Sequence, residues 1–514
     1  MTARTQPYPR RWAALIVLAF SLLVISVGNT ILNVALPTIQ EELDASASEL
    51  QWIVDGYLLV YAGLLLAAGT LGDRFGRRRA LLVGLVTFGL GSTLAALASG
   101  TTELIACRAL MGVGAAGIMP TTLSIITNIF PAHERPKAIA IWAAVAGMGV
   151  AIGPVAGGWL IEHTDWRGIF LFNLPAIAVC LAAALVLVPE SRDESARKVD
   201  VVGAVLSVAG LAALVWALIE APDRGWTSAS IVGAFGTAAV IGALFVAWER
   251  RVAQPLLEVS VFRNRRFTAA SLSIAFIFFA LMGVMYFLTT YLQTVLGLSA
   301  LDAGLRMLAI AFGMVVATKS SVGLVSRVGT KVAVAGGLLI VAGALLLLMG
   351  WDVDTGDAQV CLVLALMGAG MGLAMSPATE AIMGSLSPER AGIGSAMNDV
   401  VREVSGTLGI AVLGSVLASA YSSGMGSAVA GLPTDAAAAA SDSVGAAHRV
   451  AAQTGSADLV TSANQAFVDA MSTTASIAAG IAIAGALIAT AFLPARAGAR
   501  AAYGASPALE TGVK

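Results

Sequence analysis

One carboxylate interrupts a stretch that is otherwise apolar enough to cross a membrane. The stretch is residues 51–69, QWIVDGYLLVYAGLLLAAG, and its acid is Asp55. An aspartate inside a membrane helix costs about 2.5–3.5 kcal/mol on insertion scales, so it is a candidate functional residue. Such a carboxyl can exchange a proton or contact a cationic ligand. The alternative is a shallow acid whose side chain reaches water at the membrane surface.

Polar residues of two other apolar segments are predicted to share the layer of Asp55. If this segment enters from outside near Gln51, the acid lies about one turn deep. Asn29 and Asn33 occupy the outer third of the first segment, and Arg108 has a similar depth in the fourth. An ion pair between Asp55 and Arg108, or a hydrogen bond to Asn33, would offset the insertion cost.

A second cluster of charged residues lies in the segment NDVVREVSGTLGIAVLGS, residues 398–415. Asp399, Arg402 and Glu403 have i, i+3 and i+4 spacing and share one helix face. The two acids are expected about 10 and 16 Å from the inner end of the helix. One arginine cannot neutralise both acids, so we expect one of them to take up a proton. The alternative is a structural ion-pair cluster, in which Arg402 fits best.

Other polar residues in apolar segments point less clearly to chemistry. Lys319 lies toward the inner end of its segment, where a lysine can extend to water. Glu380 is also close to that side, and its role stays open. The three cysteines, Cys107, Cys180 and Cys361, all lie inside apolar segments, which favours simple packing over a disulfide or a metal site. No nucleotide-binding loop or nucleophile constellation occurs, so neither an enzyme nor a cofactor is expected.

The elements that must position these residues are membrane-spanning helices. The 514-residue chain is 58% hydrophobic and 12% charged, whereas soluble domains have about one quarter charged residues. Apolar runs of about 20 residues, each long enough to span the hydrocarbon core, recur along the chain. We predict an all-α polytopic membrane protein with fourteen spans, approximately at residues 12–36, 51–71, 80–99, 103–128, 138–161, 168–188, 201–219, 230–248, 267–292, 302–323, 332–350, 358–384, 392–420 and 474–494.

The distribution of basic residues sets the orientation of these spans. Loops such as GDRFGRRR and RNRR are rich in arginine, whereas the alternate loops include the acidic EELD and WDVDTGD. Because basic loops stay on the cytoplasmic side, both termini are predicted inside. The first apolar segment continues past residue 30 and is interpreted as a retained span rather than a signal peptide. Basic residues are scattered among short loops, so a nucleic-acid partner is not expected.

Two pairs of similar segments indicate an internal repeat. GDRFGRRR at 72–79 resembles VSRVGTKV at 325–332, and the segment 119–135 resembles the segment 375–390. Matched residues are 253 to 257 residues apart. Two halves of the same direction that meet at the membrane midplane are an architecture of transporters.

The repeat divides the chain into three parts. We predict a six-helix bundle over residues 1–190, two inserted spans over 191–258 and a second six-helix bundle over 259–514. The second bundle would contain a long extracellular connection at 422–473, which is rich in Ala, Ser and Gly and either partly helical or loose. We assign no function to that connection.

Two glycine-containing motifs lie in the predicted first bundle and indicate tight turns and close helix packing there. The loop GDRFGRRR combines glycines that permit a tight turn with an acid that needs basic partners at a helix C-terminus; its key residues are Gly72, Asp73, Arg74, Gly76 and Arg77. The segment GVAIGPVAGG allows close helix contact and a bend; its key residues are Gly149, Gly153, Pro154, Gly157 and Gly158. ELIACRALMGVGAAGIMP, GNTILNVALP and WRGIFLFNLP are further motifs.

With these motifs, the chain resembles the fourteen-span drug:proton antiporters of the major facilitator superfamily along essentially its whole length. The resemblance implies that GDRFGRRR latches the two halves in the outward-open state, that the glycine motif marks an exporter and that Arg108 takes part in proton transfer. An acid in the position of Asp55 is common in this family. Many relatives also have an acid in the first span, where this chain has Gly28 and Asn29.

The resemblance further implies a function. The expected protein is a proton-coupled antiporter that exports amphipathic, cationic or lipophilic drugs or antibiotics across the bacterial cytoplasmic membrane by alternating access. Its partners would be a drug-like small molecule, protons and membrane lipid, and it would act as a monomer. An exporter of lipids or of a single natural product on the same fold is the alternative, and a membrane scaffold or sensor that transports nothing is a third interpretation, against which the buried acids and the glycine motif argue.

Overall fold

The first bundle consists of long helices joined by short turns. The computed structural model describes residues 8–131, 133–192, 200–385 and 391–493. Helix backbones approach each other closely in this bundle. Gly114 is an example, because a Cβ added to it would lie 2.5 Å from the backbone nitrogen of Phe88 on the neighbouring helix. The helices are α1 (Arg11–Leu43), α2 (Ala47–Phe75), α3 (Arg77–Ala96), α4 (Thr101–Ile129), α5 (Arg135–His163), α6 (Gly168–Leu171) and α7 (Asn173–Leu187).

The two inserted helices form a hairpin beside the first bundle. They are α8 (Val201–Arg224) and α9 (Ala229–Glu249). Helix α8 packs on α2 through a small apolar cluster that includes Leu59 and Val215. Helix α9 is largely exposed and packs mainly on α8. This exposure suits a helix whose apolar surface faces lipid.

The second bundle repeats the helix pairings of the first. Helix α1 packs on α5, α2 on α4 and α3 on α4, and the second bundle contains the matching pairs α10 with α14, α11 with α13 and α12 with α13. Its helices are α10 (Arg265–Thr290), continued by a π-helical turn (Tyr291–Val295), α11 (Ala300–Val328), α12 (Thr330–Leu348), α13 (Asp357–Met383), α14 (Ala391–Met425), α15 (Thr434–Asp442), α16 (Val444–Thr454) and α17 (Ala457–Phe492). A short 3₁₀ helix, Val259–Arg263, precedes α10.

The repeat extends to the backbone of two turns. Gly76 connects α2 to α3 with φ of 122°, and Gly329 connects α11 to α12 with φ of 87°. Both conformations lie in the region that favours glycine. The two glycines are the residues that the sequence repeat matches. The architecture of two parallel bundles with two inserted helices is therefore confirmed, while the domain boundaries at 190 and 258 stay predictions.

The number of spans is close to the predicted fourteen. Thirteen helices in the described part of the chain are long and apolar enough to cross a membrane. Helix α5 is a further helix of 29 residues and is not among the thirteen. The structure of the described residues contains helices and turns without strands. The count of fourteen thus stays a prediction, and the all-helical membrane architecture is confirmed.

The extracellular position of the connection at 422–473 stays a prediction, and the structure shows that much of it is helical. Helix α14 continues to Met425, α17 already begins at Ala457, and α15 and α16 lie between them. The hydropathy pattern misses the first turns of α17 because they are polar. They nevertheless pack on the outer end of α14, where the rings of Phe467 and Tyr421 meet edge to face with centroids 6.4 Å apart.

The two bundles contact each other at their outer ends. We call this region the outer seam. Tyr286 Oη donates a hydrogen bond to the Ala47 carbonyl at 3.2 Å, and Gln293 Nε2 donates to the Val34 carbonyl at 2.8 Å. Outer ends of α5 and α11 also touch, because Gly158 lies against the backbone of α11. In this structure the outer side is closed.

Candidate functional site

Asp55 is completely buried, and its carboxylate lacks a partner. Its exposure is 0%, and neither carboxylate oxygen accepts a hydrogen bond from any residue that the structure describes. The predicted contacts with Arg108 or Asn33 are therefore wrong. Asn33 is buried and Asn29 is half-buried on α1. Asp55 lies instead near Tyr286 of the second bundle, close enough for an electrostatic interaction.

Arg108 is directed to another face of α2. Its Nε donates to the Ile53 carbonyl at 3.1 Å, and its guanidinium lies over the ring of Tyr57, 4.3 Å from the ring centroid. This contact is a cation–π interaction. Residues 55 and 57 are two positions apart and thus about 200° apart around the helix, so an arginine on the face of Tyr57 does not reach Asp55. Gly56 and Ile105 bring α2 and α4 close together at this level.

The charged cluster on α14 is looser than its spacing predicts. Arg402 Nη1 is 3.9 Å from Asp399 Oδ1, and its guanidinium lies 4.6 Å from the centroid of Phe278. Its Nε has no hydrogen-bond partner among the described residues. Glu403 forms no ion pair within 4.0 Å with any residue that the structure describes. Arg402 thus pairs weakly with Asp399 and forms no close ion pair with Glu403, although it lies near enough to interact with it electrostatically.

Two tyrosines connect the α14 cluster to Arg108. Tyr57 and Tyr61 stack obliquely on α2 with ring centroids 5.7 Å apart. Both are near enough to Glu403 of the second bundle to interact electrostatically with it. Glu403 lies near the two tyrosines because α2 packs directly on α14. We call this arrangement the central site, which comprises Tyr57, Tyr61, Arg108, Asp399, Arg402 and Glu403.

Sequence reasoning did not assign the two tyrosines to this site. Neither Tyr57 nor Tyr61 is among the candidate residues that the sequence indicates. Their i, i+4 spacing was the available signal, because it places both rings on one face of α2. Tyr61 Oη hydrogen-bonds to the Met119 sulfur, which fixes the ring between α2 and α4.

Gly28 on α1 stands where the resemblance leads us to expect an acid, and neighbouring side chains pack closely against it. An added Cβ on Gly28 would lie 3.2 Å from the ring of Phe88 and 3.8 Å from the amide nitrogen of Asn173. A side chain as large as a carboxylate requires these neighbours to move. The departure from the family pattern at this position therefore has a structural counterpart, which is a tight contact between α1 and its neighbours.

The loop between α2 and α3 is tied to the end of the first bundle. Asp73 pairs with Arg77 at 2.7 Å, as its position at a helix C-terminus predicts. Glu190 is a residue that sequence reasoning missed. Its carboxylate accepts from the Arg78 backbone at 3.1 Å and lies 3.8 Å from the Arg79 side chain. The available signal was its position directly after the sixth span, on the same side as the arginines.

The glycines of this loop serve close contacts rather than a link between bundles. Gly72 approaches Thr121 of α4, and an added Cβ on Gly76 would lie 2.9 Å from the Glu190 carboxylate. Arg74 stacks on the neighbouring ring of Phe75. All these contacts lie within the first bundle. A latch between the two bundles at this loop therefore stays a prediction for another conformation.

The glycine motif of α5 contacts two different helices. Gly149, Gly153 and Gly157 pack against α1, where the Thr30 hydroxyl donates to the Gly149 carbonyl at 2.9 Å. Gly158 faces the second bundle, and an added Cβ there would lie 2.5 Å from the Ala300 carbonyl oxygen of α11.

The same crossing involves the proline of the motif. An added Cβ on Gly304 of α11 would overlap the Pro154 carbonyl oxygen. The predicted close helix contact is confirmed, and part of it belongs to the outer seam.

The remaining candidate residues are less involved. The side chains of Lys319 and Glu380 are both exposed, which agrees with a lysine that extends to water and gives Glu380 no buried partner. The three cysteines are free. Among the described residues, no group of three or more His, Cys, Asp or Glu side chains could hold a metal ion.

Comparison with known proteins places the chain in a family. The family description Major Facilitator Superfamily matches residues 18–410. The chain therefore belongs to this superfamily of membrane transporters and is a multi-pass membrane protein.

Curated relatives are efflux proteins. The chain is 38% identical over 488 residues to the multidrug efflux pump LfrA of Mycolicibacterium smegmatis, covering 94% of this chain and 96% of the relative. It is 34% identical over 411 residues to the tetracenomycin C resistance and export protein of Streptomyces glaucescens, covering 80% and 76%. These similarities define a group of bacterial drug and antibiotic efflux proteins.

A solved structure shares the fold. It is a bacterial homologue of the human lysosomal transporter Spinster in an inward-facing, unoccupied conformation. The TM-score is 0.66 at 18% sequence identity, and the match covers 94% of this chain and 98% of the other. At this identity the similarity concerns the fold alone.

Proposed function

We propose that the protein is a proton-coupled antiporter that exports amphipathic, cationic or lipophilic drugs and antibiotics by alternating access. The observation that carries the proposal is the central site. There Glu403 of one bundle lies near enough to the tyrosines of the other to interact with them electrostatically, and Arg108 lies over the ring of Tyr57. The multidrug and single-antibiotic efflux proteins among its relatives support an export role. Protons, membrane lipid and the drug are its partners, and it acts as a monomer without a cofactor.

Competition at Glu403 couples the two fluxes. A cationic ligand between the rings of Tyr57 and Tyr61 gains cation–π contacts and the charge of the acid. Protonation of Glu403 removes that charge, so the ligand is released. Arg402 lies 3.9 Å from Asp399 and over Phe278, and it acts on Glu403 only electrostatically, so no close ion pair blocks a ligand or a proton at Glu403. Each occupant thus weakens binding of the other.

The outer seam separates the two stages of the cycle. In the closed state of this structure, Asp55 is buried behind the contacts between Tyr286 and Ala47. Opening of the seam exposes Asp55 to the outer solution, where it takes up a proton. A ligand that binds the two conformations with different affinity shifts their equilibrium. Asp55 thereby responds to the outer proton concentration, and a proton that Glu403 itself takes up from the solution displaces the drug.

Transport in everted vesicles tests this proposal. A fluorescent cationic dye is offered with and without a proton gradient to the wild type, Glu403→Gln, Asp399→Asn and Asp55→Asn. Glu380→Gln is a matched control, because it removes an exposed acid from the neighbouring helix α13. We expect gradient-driven movement in the wild type and the control. We expect none in Glu403→Gln, because the amide carries no titratable charge.

The outcomes separate the candidate functions. Gradient-driven transport that survives both Glu403→Gln and Asp55→Asn contradicts the assigned coupling. A folded wild type that moves none of several cationic dyes points to the alternative, an exporter of one natural product or of a lipid. That alternative is then measured with a neutral antibiotic and a labelled lipid in the same vesicles.

A further inference from the structure

A polar cavity lies at the outer face, away from the central site. Its volume is about 340 Å³. Four elements enclose it: the N-terminus of α2, the C-terminal end of α8, the outer end of α14 and helix α15. The first bundle, the inserted helices and the second bundle therefore all contribute walls. Its polar lining consists of Ser48, Gln51, Asp223, Ser422, Ser441 and Asp442. We call it the outer cavity.

The lining of the outer cavity is rich in hydrogen-bond acceptors and bears net negative charge. Asp442 and Asp223 are near enough to repel each other. No Lys, Arg or His belongs to the lining within the described ranges. Asp442 Oδ2 accepts a hydrogen bond from the Ala47 backbone at 3.1 Å, and no residue in the described ranges donates to its other oxygen. A positively charged ligand would relieve the repulsion between the two carboxylates.

Gln51 gives an independent indication of a ligand. This residue is 1% exposed, and its Oε1 is buried without a hydrogen-bond donor in the part of the chain that the structure describes. The amide lies over Gly414, where an added Cβ would be 2.8 Å from Gln51 Nε2. A buried carbonyl oxygen without a donor is unfavourable, and buried polar groups of native proteins usually have a partner. The Tyr286 hydroxyl lies beside the Gln51 side chain but donates to the Ala47 carbonyl, so Oε1 still lacks an N–H or O–H donor among the described residues.

An apolar pocket adjoins the outer cavity. It has a volume of about 50 Å³, and Gln51 and Asp442 line it as well. Leu417, Tyr421 and Phe467 form part of its apolar wall. A ligand with a charged end in the outer cavity can therefore place a small apolar group here. The combination of one hydrophobic wall and a few convergent polar groups is typical of small-molecule sites.

We infer that the outer cavity is a second binding site, which takes a protonated amine. The ammonium donates hydrogen bonds to Gln51 Oε1 and to Asp442, while Asp223 at the exposed mouth attracts it electrostatically. This site goes beyond the proposed transport function, because binding at the outer face requires no gradient and no movement of the bundles. A drug released from the central site would meet this acidic cavity on the outer side.

The affinity of the outer cavity for the amine depends on pH through Asp442, which lies outside the spanning segments. Burial raises the pKa of this carboxyl to about 6. Asp223 on α8 and Glu49 on α2 act in the same direction, whereas the Ala47 N–H and Arg449 on α16 oppose them. The amine binds the carboxylate form. Affinity is therefore full above pH 7 and falls as the pH decreases through 6.

Equilibrium binding without a gradient tests the inference. The full-length protein is placed in lipid nanodiscs in a Glu403→Gln background, which disables the central site, and titrated with the fluorescent primary amine dansylcadaverine at pH 7.5. We expect at least about a tenfold loss of affinity for Asp442→Asn, because the charge partner is lost. Gln51→Leu loses the acceptor at similar volume and should also weaken binding.

Matched controls keep the test decisive. Asp435→Asn removes an exposed acid from the same helix α15, outside the cavity, and should leave affinity unchanged. Ser422→Trp fills the exposed mouth without a buried change and should block binding even if Asp442→Asn folds poorly. The trimethylammonium analogue of the probe cannot donate a hydrogen bond and should bind more weakly.

Three results would overturn the site. One is wild-type affinity in both Asp442→Asn and Ser422→Trp. Another is an equal loss in Asp435→Asn, which would reveal a general surface charge effect. The third is equal affinity for the trimethylammonium analogue, which would contradict the donor to Gln51. Failure of transport in the vesicle assay leaves this binding measurement unaffected, so the two proposals fail separately.

Discussion

The outer seam and the central site hold their acids in different ways. Asp55 is completely buried at a closed contact between bundles and has no hydrogen-bond partner among the described residues. Asp399 and Glu403 lie with Arg402 on one helix, where the side chain of Asp399 is 16% exposed and Glu403 is half-buried. One acid therefore depends on a conformational change to meet water, and the other pair does not. The comparison indicates that a charge in an apolar helix is controlled by the packing of neighbouring helices as much as by its own position.

The largest expected effect distinguishes the two acids directly. Glu403→Gln should lower the affinity of the central site for a cationic dye by at least about tenfold, because it removes the charge that faces the tyrosines. Asp55→Asn should change that affinity by less than about twofold, since Asp55 lies on a different face of α2 from Tyr57. Dye binding to the purified protein, measured without a gradient, checks this difference. Equal losses in the two variants would contradict the separation of the sites.

A side chain at the outer seam should open it. Gly158→Val forces atoms into the backbone of α11, where an added Cβ is already 2.5 Å from Ala300. We expect a single cysteine at position 55 to react with an external thiol reagent several times faster in this variant. Gly233→Ala is the control, because its surroundings on α9 are open. An unchanged labelling rate in Gly158→Val would mean that this contact does not close the seam.

Removal of the contact between Arg108 and Tyr57 should have an intermediate effect, which is a loss of thermal stability. Tyr57→Phe keeps the ring below the guanidinium, whereas Tyr57→Ala removes it and leaves a cavity. Loss of the cation–π contact alone costs about 0.5–2 kcal/mol. The thermal unfolding midpoint should thus fall clearly in Tyr57→Ala and little in Tyr57→Phe. Equal midpoints for the two variants would show that the ring contributes nothing to holding Arg108.

Glu190→Gln should produce the smallest effect. The acid is 30% exposed and lies 3.8 to 3.9 Å from two arginine side chains, so solvent weakens these ion pairs. Partly exposed ion pairs contribute about 0–1 kcal/mol. We expect a shift of about a degree or two in unfolding midpoint, which decreases in high salt. A loss comparable with that of Tyr57→Ala would mean that Glu190 has a larger role than an ion pair at the membrane surface.

The sequence predicted the helices better than the contacts between them. Hydropathy located the spans, and the match of Gly76 with Gly329 revealed two halves whose turns share a positive φ. The first turns of α17 were missed because they are polar, although they pack on α14. Local composition reports the average environment of a segment, and it does not reveal which neighbour covers a polar turn.

The candidate site shows the same limit. The spacing of Asp399, Arg402 and Glu403 correctly placed them on one face, since the period of a helix is fixed. The proposed partner of Asp55 was wrong, because equal depth in the membrane does not specify the face of a helix. Rotation of α2 is decided by its packing on α4 and α14. That packing directs Tyr57 to Arg108 and leaves Asp55 near Tyr286.

By itself, the sequence determined a membrane protein of two repeated helical halves with acids in apolar helices. These properties depend on composition and period, which are local and additive along the chain. Only the tertiary structure decided which polar groups come near each other: Tyr57 and Tyr61 lie near Glu403, and Gln51 and Asp442 line the same outer cavity. Such meetings depend on helix rotation and on close contacts at a few glycines. They are fixed by the simultaneous packing of many side chains, which no single segment specifies.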